Sequence, residues 1–326
     1  MKRYSRRDLL KTALVSASGL MLAQHMDPVR AAQDAAGERW AVSANLNIVV
    51  YSPDGAIQRL TTDGNDFKPS WSPDGSMLTF FRATQYGASF KNWRSKICVI
   101  NADGTGFREL TTADCPNFNP TWTRDGTNRI VFNRYSPNGR DRNLVISIAP
   151  DAEIGDETQL SNPGIYYEWV NSGLQDGRLI VDRITDQRFQ SFLLTPNGSQ
   201  PTYEKIERPT TLFWHKLSVS PSETRVAYML DNNNDIPTYQ DSVICFADFD
   251  LENLRIHNQV QITPEDTSSV QEYPTWNRDE SLLVYDSNES GTYQTYAYDM
   301  ASGETTRHSF YEVISDQFAC FEGLPK

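Results

Sequence analysis

Two sets of side chains in this chain have types and spacings that could do chemistry. His215, next to Lys216, and Tyr167 form the first set. An imidazole titrates near neutrality, so His215 with Tyr167 is the candidate acid/base pair for proton abstraction. Arg82, Arg134 and Arg183 form the second, each about fifty residues from the next. Guanidinium forks fit carboxylate or sulfate, and three on neighbouring units would hold an anionic group. The plainer use of the same arginines is salt bridging to acidic loops. Asp231-Asn232-Asn233-Asn234-Asp235 starts like a calcium loop, but Ile236 stands where such a loop needs Gly and Ser242 where it needs Glu. It reads as a solvated loop, so no cofactor is expected, and neither calcium nor any other metal. There is no Gly-x-Ser-x-Gly elbow and no His-Glu-x-x-His pair. His257 and His308 lie in other units, apart from His215, and read as surface residues.

The elements that must position these residues are written in a repeat. Pro69-Ser70-Trp71-Ser72-Pro73-Asp74-Gly75 returns as Pro120-Thr121-Trp122-Thr123-Arg124-Asp125-Gly126, and in worn form as Pro274-Thr275-Trp276-Asn277-Arg278-Asp279-Glu280. Leu60-Thr61, Leu110-Thr111 and Leu160-Ser161 close successive units. Self-similarity at a fixed period means one supersecondary unit stacked several times. Within a unit, short aromatic and β-branched runs alternate with Pro, Asp and Gly turns, which is the pattern of antiparallel strands. Four strands per unit of about fifty residues is a propeller blade, and the length accommodates six.

The expected fold is therefore all-β, a six-bladed β-propeller of four-stranded antiparallel blades. The first blade lacks its inner strand. Gln317 to Phe321 resembles one, so a C-terminal strand is expected to complete that blade and close the ring, leaving no open edge. The phrase Pro-x-Trp-Ser-Pro-Asp-Gly, with its later Asp-Gly and Leu-Thr, resembles the repeats of the TolB-type propeller family, relatives of the WD-type blades. That resemblance implies fold and framework rather than an activity. TolB itself carries a further N-terminal domain, for which this chain is expected to have no room.

Residues 1–32 read as an export signal and residues 33–326 as the propeller. Ser5-Arg6-Arg7-Asp8-Leu9-Leu10-Lys11 is a twin-arginine phrase, followed by an apolar run from Thr12 to Ala23 and small residues at Ala31 and Ala32. The run is too short to span a bilayer, so no integral membrane segment is expected after cleavage. The expected location is periplasmic or extracellular. Removing this segment takes six basic and two acidic residues from totals of 30 and 42, leaving a net charge of −16. Such a surface is repelled by phosphate backbones, which argues against nucleic acid, and a soluble monomer is expected. Cys98 and Cys245 lie in apolar runs and read as buried thiols.

Aligning the units puts further residues on common rings. Asp66-Phe67-Lys68, Asn117-Phe118-Asn119, Tyr166-Tyr167-Glu168, Phe213-Trp214-His215-Lys216, Gln271-Glu272-Tyr273 and Asp316-Gln317-Phe318 fall just before each unit's first strand, at the mouth of a central channel. Aromatics with amides and charges there suit a sugar, a peptide or a small polar ligand. Phe67, Phe118 and Phe318 read instead as blade packing. The ligand-binding candidates are Lys68, Arg82, Arg134, Tyr167, Arg183, Trp214, His215 and Glu272. The leading expectation is a binding or interaction module for a protein partner or a small polar or carbohydrate ligand at this funnel. The alternative is a carbohydrate-active enzyme such as an oligogalacturonate-lyase-like polysaccharide lyase.

Overall fold

The structure, a computed structural model, describes residues 38–87, 92–135, 143–162, 168–185, 188–198, 200–209, 213–231, 242–264, 269–307 and 316–321. The segment read as an export signal lies outside them. The first blade holds β1 (Trp40–Ala44), β2 (Asn47–Tyr51) and β3 (Ile57–Arg59); the second, β4 (Asp66–Trp71), β5 (Met77–Gln85), β6 (Arg94–Asn101) and β7 (Arg108–Glu109). The third holds β8 (Asn117–Trp122), β9 (Ile130–Tyr135), β10 (Asn143–Ile148) and β11 (Thr158–Gln159); the fourth, β12 (Glu168–Gly173), β13 (Leu179–Thr185), β14 (Arg188–Thr195) and β15 (Thr202–Lys205). The fifth holds β16 (Phe213–Val219), β17 (Arg225–Asp231), β18 (Ser242–Asp250) and β19 (Arg255–Gln261); the sixth, β20 (Gln271–Trp276), β21 (Leu282–Ser287), β22 (Gln294–Asp299) and β23 (Thr305–Arg307). A last strand, β24 (Asp316–Phe321), pairs with β1, so the first sheet runs β24-β1-β2-β3 and closes the ring. All six sheets are four-stranded and antiparallel.

The repeated phrases have local jobs. In the Asp-Gly turns the carboxylate accepts the backbone N–H two residues on: Asp74 from Ser76 at 3.0 Å, Asp125 from Thr127 at 3.1 Å, Asp279 from Ser281 at 3.0 Å. The next residue must turn left-handed, which Gly75 (φ 71°) and Gly126 (φ 79°) do without steric cost. The Leu-Thr phrase ends the outer strand. Its hydroxyl accepts a third-strand N–H, as Thr61 does from Ile48 (2.9 Å), Thr111 from Ile97 (3.0 Å) and Ser161 from Val145 (2.9 Å).

Second and third strands are apolar on both faces because each sheet is covered by a neighbouring blade. Leu78, Phe80, Ile97, Val99, Ile130 and Phe132 are wholly buried there. Cys98, Cys115 and Cys245 are free and buried, and burial pushes the Cys245 thiol up to about 12. No helix among the described residues is long and apolar enough to cross a membrane.

Candidate functional site

Inner strands line the axis of a propeller, and here each one breaks register at the same place. The irregularity falls between Phe67 and Ser70, Phe118 and Thr121, Val170 and Ser172, His215 and Ser218, and Glu272 and Thr275. In the shared blade it appears between Ala41 and Ser43, opposite β24. A bulge leaves one residue out of the ladder, so a proline costs no hydrogen bond there. Pro69, Pro120 and Pro274 take that position.

The residue before each of these prolines is left-handed: Lys68 at φ 54°, Asn119 at 52° and Tyr273 at 56°; Lys216, before Leu217, is at 58°. Asn adopts this conformation readily, whereas Lys and Tyr are disfavoured in it. Strain of this kind persists only where the surroundings impose it, and it clusters at functional sites. Its effect here is to turn four side chains into the channel.

Those four side chains meet. Lys68 Nζ donates to Asn119 Oδ1 at 2.8 Å and lies 5.0 Å from the centre of the Tyr273 ring. Lys216 Nζ lies 3.6 Å from the same ring and forms an ion pair with Glu272. Residues of the second, third, fifth and sixth blades thus converge across the axis. Burial pushes the Lys68 ammonium down to about 7; the Lys216 charge adds to the shift and Glu272 opposes it.

The bulges are held from behind. The Val170 N–H donates to Asn133 Oδ1 at 3.1 Å, and the Lys216 N–H donates to the Asp182 carboxylate. Each acceptor sits on the second strand of the preceding blade. Asp182 is buried and also accepts from Ser191; burial raises it to about 6. The backbone that aims Lys216 is therefore set by a carboxylate in the blade before it.

At the other end of the inner strands lies a recess of about 170 Å³ whose lining includes Ser70, Thr121, Ser172, Ser218 and Thr275. Framework surrounds it. Trp122 Nε1 donates to Ser70 O at 2.9 Å and Trp276 Nε1 to Ser218 O at 3.3 Å, each indole stapling its blade to the one before. Arg124 reaches from the third blade to the fifth, donating to Pro221 O at 2.6 Å and Ser220 O at 3.3 Å. Gly173 of the fourth blade lets the backbone of the third come close; a Cβ there would stand 3.0 Å from Trp122 O. Where the turn glycine is replaced, the substitute braces a neighbour. Glu280 (φ 60°) accepts from Ser222 N at 2.6 Å and pairs with Arg225, and Glu223 (φ 61°) accepts from Gln175 N at 2.7 Å.

The residues singled out from sequence separate accordingly. Lys68 and Glu272 stand in the channel cluster. Trp214 does not line the funnel: it is 1% exposed and packs edge-on against Tyr228 in the core of the fifth blade. The three arginines occupy matching places, and each is engaged within its own blade. Arg82 grips both oxygens of Asp66 at 2.6 and 2.8 Å, and Asp63 at 3.2 Å. Arg134 binds Asn117 Oδ1 and Glu157, each at 2.7 Å. Arg183 lies 4.4 Å over the Tyr203 ring and 4.9 Å over Phe192. Tyr167, the side chain of His215 and residues 232–241 of the calcium-like run lie outside the described residues. Among the described residues no three His, Cys, Asp or Glu side chains gather as metal ligands. Asn119, Lys216 and Tyr273 were on the funnel ring but not among the ligand-binding candidates, and Arg124 was on neither. The signal for three of them was the ring position just before the inner-strand proline or its equivalent; Arg124 carried none.

No family model matches the chain, and no curated protein matches it by sequence. Solved structures do match by shape. TolB from Acinetobacter baumannii superposes with a TM-score of 0.67 at 13% identity, over 89% of this chain and 67% of that one. A protein assigned as TolB from Agrobacterium tumefaciens gives 0.59 at 12%, over 88% and 93%. A chain of the nidogen/laminin complex gives 0.53 at 9%, over 83% and 92%. At these identities the likeness is one of fold. The chain is a six-bladed propeller, similar in fold to these TolB structures.

Proposed function

We propose that this protein is an exported binding module that receives a polar ligand in its central channel, from the end where the inner strands begin. The observation that carries the reading is the set of left-handed bulges that gathers Lys68, Asn119, Lys216 and Tyr273 across the axis. Left-handed Lys and Tyr are unfavourable in themselves, and the framework phrases need none of them. The opposite end is braced by Arg124 and the Trp staples, which favours entry from the Lys68 end. Shared architecture with TolB, and with a propeller found in the nidogen/laminin complex, supports an interaction module as the class. The twin-arginine phrase at Arg6-Arg7 supports export of residues 33–326 as a folded unit, to the periplasm or beyond.

A thermal-shift screen of the mature protein against oligosaccharides, short peptides and organic acids tests this reading, run in parallel on Asn119→Trp. A ligand that binds the folded state raises the melting temperature. Asn119→Trp fills the channel, so shifts seen with the parent should disappear. Ligands that stabilise both proteins equally would place binding elsewhere and overturn the reading.

A further inference from the structure

Lys68 is poorly matched in charge. Its ammonium has three donors, and the contacts described for it are one amide oxygen and one distant ring face. Glu272, the carboxylate that acts on it among the described residues, is engaged by Lys216. Among the described residues the cluster of Lys68, Lys216 and Glu272 therefore sums to one positive charge. It stands on the axis of a protein whose propeller carries a net charge of −16 once residues 1–32, with six of 30 basic and two of 42 acidic residues, are removed. A buried charge without a counter-ion is costly, and the usual remedy is a partner of opposite sign. Asn119 accepts from Lys68 through its oxygen, which leaves its NH₂ as a further donor.

Resting on the channel-binding reading above, we infer that Lys68, with the amide of Asn119, is a receptor for one carboxylate of the ligand. A single negative charge neutralises the cluster, whereas a phosphate dianion would leave excess negative charge beside Glu272. Lys216 stays bound to Glu272 and, with Lys68, faces the Tyr273 ring. The carboxylate comes from either of two sources, a sugar acid or the C-terminus of a peptide, and the chemistry of recognition is the same.

The test is a titration of the mature protein with matched acid and neutral probes: glucuronate against glucose, and acetyl-trialanine against its amide. Measurements are made at pH 6 and pH 9 on the parent, Lys68→Asn, Lys68→Arg and Lys96→Ala. Asn accepts the left-handed backbone at position 68, so that variant should fold; intact near-ultraviolet circular dichroism confirms it. Lys96 pairs with Glu109 on the outer part of the second blade and serves as the control. An acid that binds at least about tenfold more tightly than its neutral partner, and loses that margin in Lys68→Asn, supports the inference. Lys68→Arg should keep part of the margin. Binding should weaken from pH 6 to pH 9 as Lys68 gives up its proton, the charged groups facing it among the described residues being Lys216 and Glu272. The probe pair that responds names the source. Equal binding of acid and neutral probes, an unchanged margin in Lys68→Asn, or no binding of either acid overturns the carboxylate inference. The channel reading survives any of these results if another ligand's stabilisation is abolished by Asn119→Trp, and it falls if none is.

Discussion

The two ends of the central channel are built from the same six strands and solve opposite problems. Where the inner strands finish, polar groups are matched across blades: indole N–H to carbonyl, Arg124 to two carbonyls, Glu280 to Arg225 and a backbone amide. Even the left-handed Glu223 and Glu280 brace a neighbour there. Where the strands begin, two lysines and a tyrosine are left-handed, the Lys216 backbone is held by Asp182 behind it, and among the described residues a charge is left over on the axis. Regular matching stabilises a ring, while incomplete matching leaves capacity for something else. The difference locates stability at one end and recognition at the other.

The contrast is broken most severely by Trp122→Ala. It empties a buried indole site between the second and third blades and should cost about 3–5 kcal/mol by denaturant unfolding. A loss below about 1 kcal/mol would mean that the staples are not what holds this end together.

Lys68→Asn should act in the opposite direction. The folded state lowers this lysine's pKa to about 7, so it favours the neutral amine. The parent therefore carries a stability penalty that is full below pH 7 and fades as pH rises toward the ordinary lysine value. The variant should be more stable than the parent at pH 6, and the two should converge near pH 10.5. Parallel stability curves across that window would sever the link between the lysine and its burial.

The smallest effect belongs to Asp182→Asn. Burial raises the Asp182 carboxyl to about 6, so the folded state favours its protonated form. The parent should gain stability as pH falls through about 6 toward 3.8, and the variant should lack that segment of the curve. Because Asp182 accepts the Lys216 N–H, amide exchange at Lys216 should quicken in the variant. Unchanged exchange would leave the bulge independent of its acceptor.

How much of this could be read from the sequence depends on how often a feature recurs. The Asp-Gly turn, the Leu-Thr closure and the Pro-x-Trp strand appear three times or more, so the six blades and the strand that closes the ring were legible. Export depends on residues outside the described part of the structure, and only the sequence speaks for it. The channel cluster was half legible. Lys68 and Glu272 could be placed because the repeat set their register. Trp214 shares that register, yet its ring turns into the core, since alternation along a strand sends successive side chains to opposite faces and the bulge shifts which one faces the axis. The arginine ring matched in position, but Asp66, Asn117 and Glu157 engage two of its members within their own blades. Arg124 could not be foreseen. Its partners are backbone carbonyls two blades away, and carbonyls leave no trace in sequence.

Calorimetric titration of glucuronate into the parent, Lys68→Asn and Arg124→Gln at pH 6 tests the division of labour most directly, with acetyl-trialanine as the second probe. Lys68→Asn should keep or raise the melting temperature and lose binding; Arg124→Gln should lower the melting temperature and bind like the parent. Binding that survives in Lys68→Asn and vanishes in Arg124→Gln would contradict the assignment of the two ends.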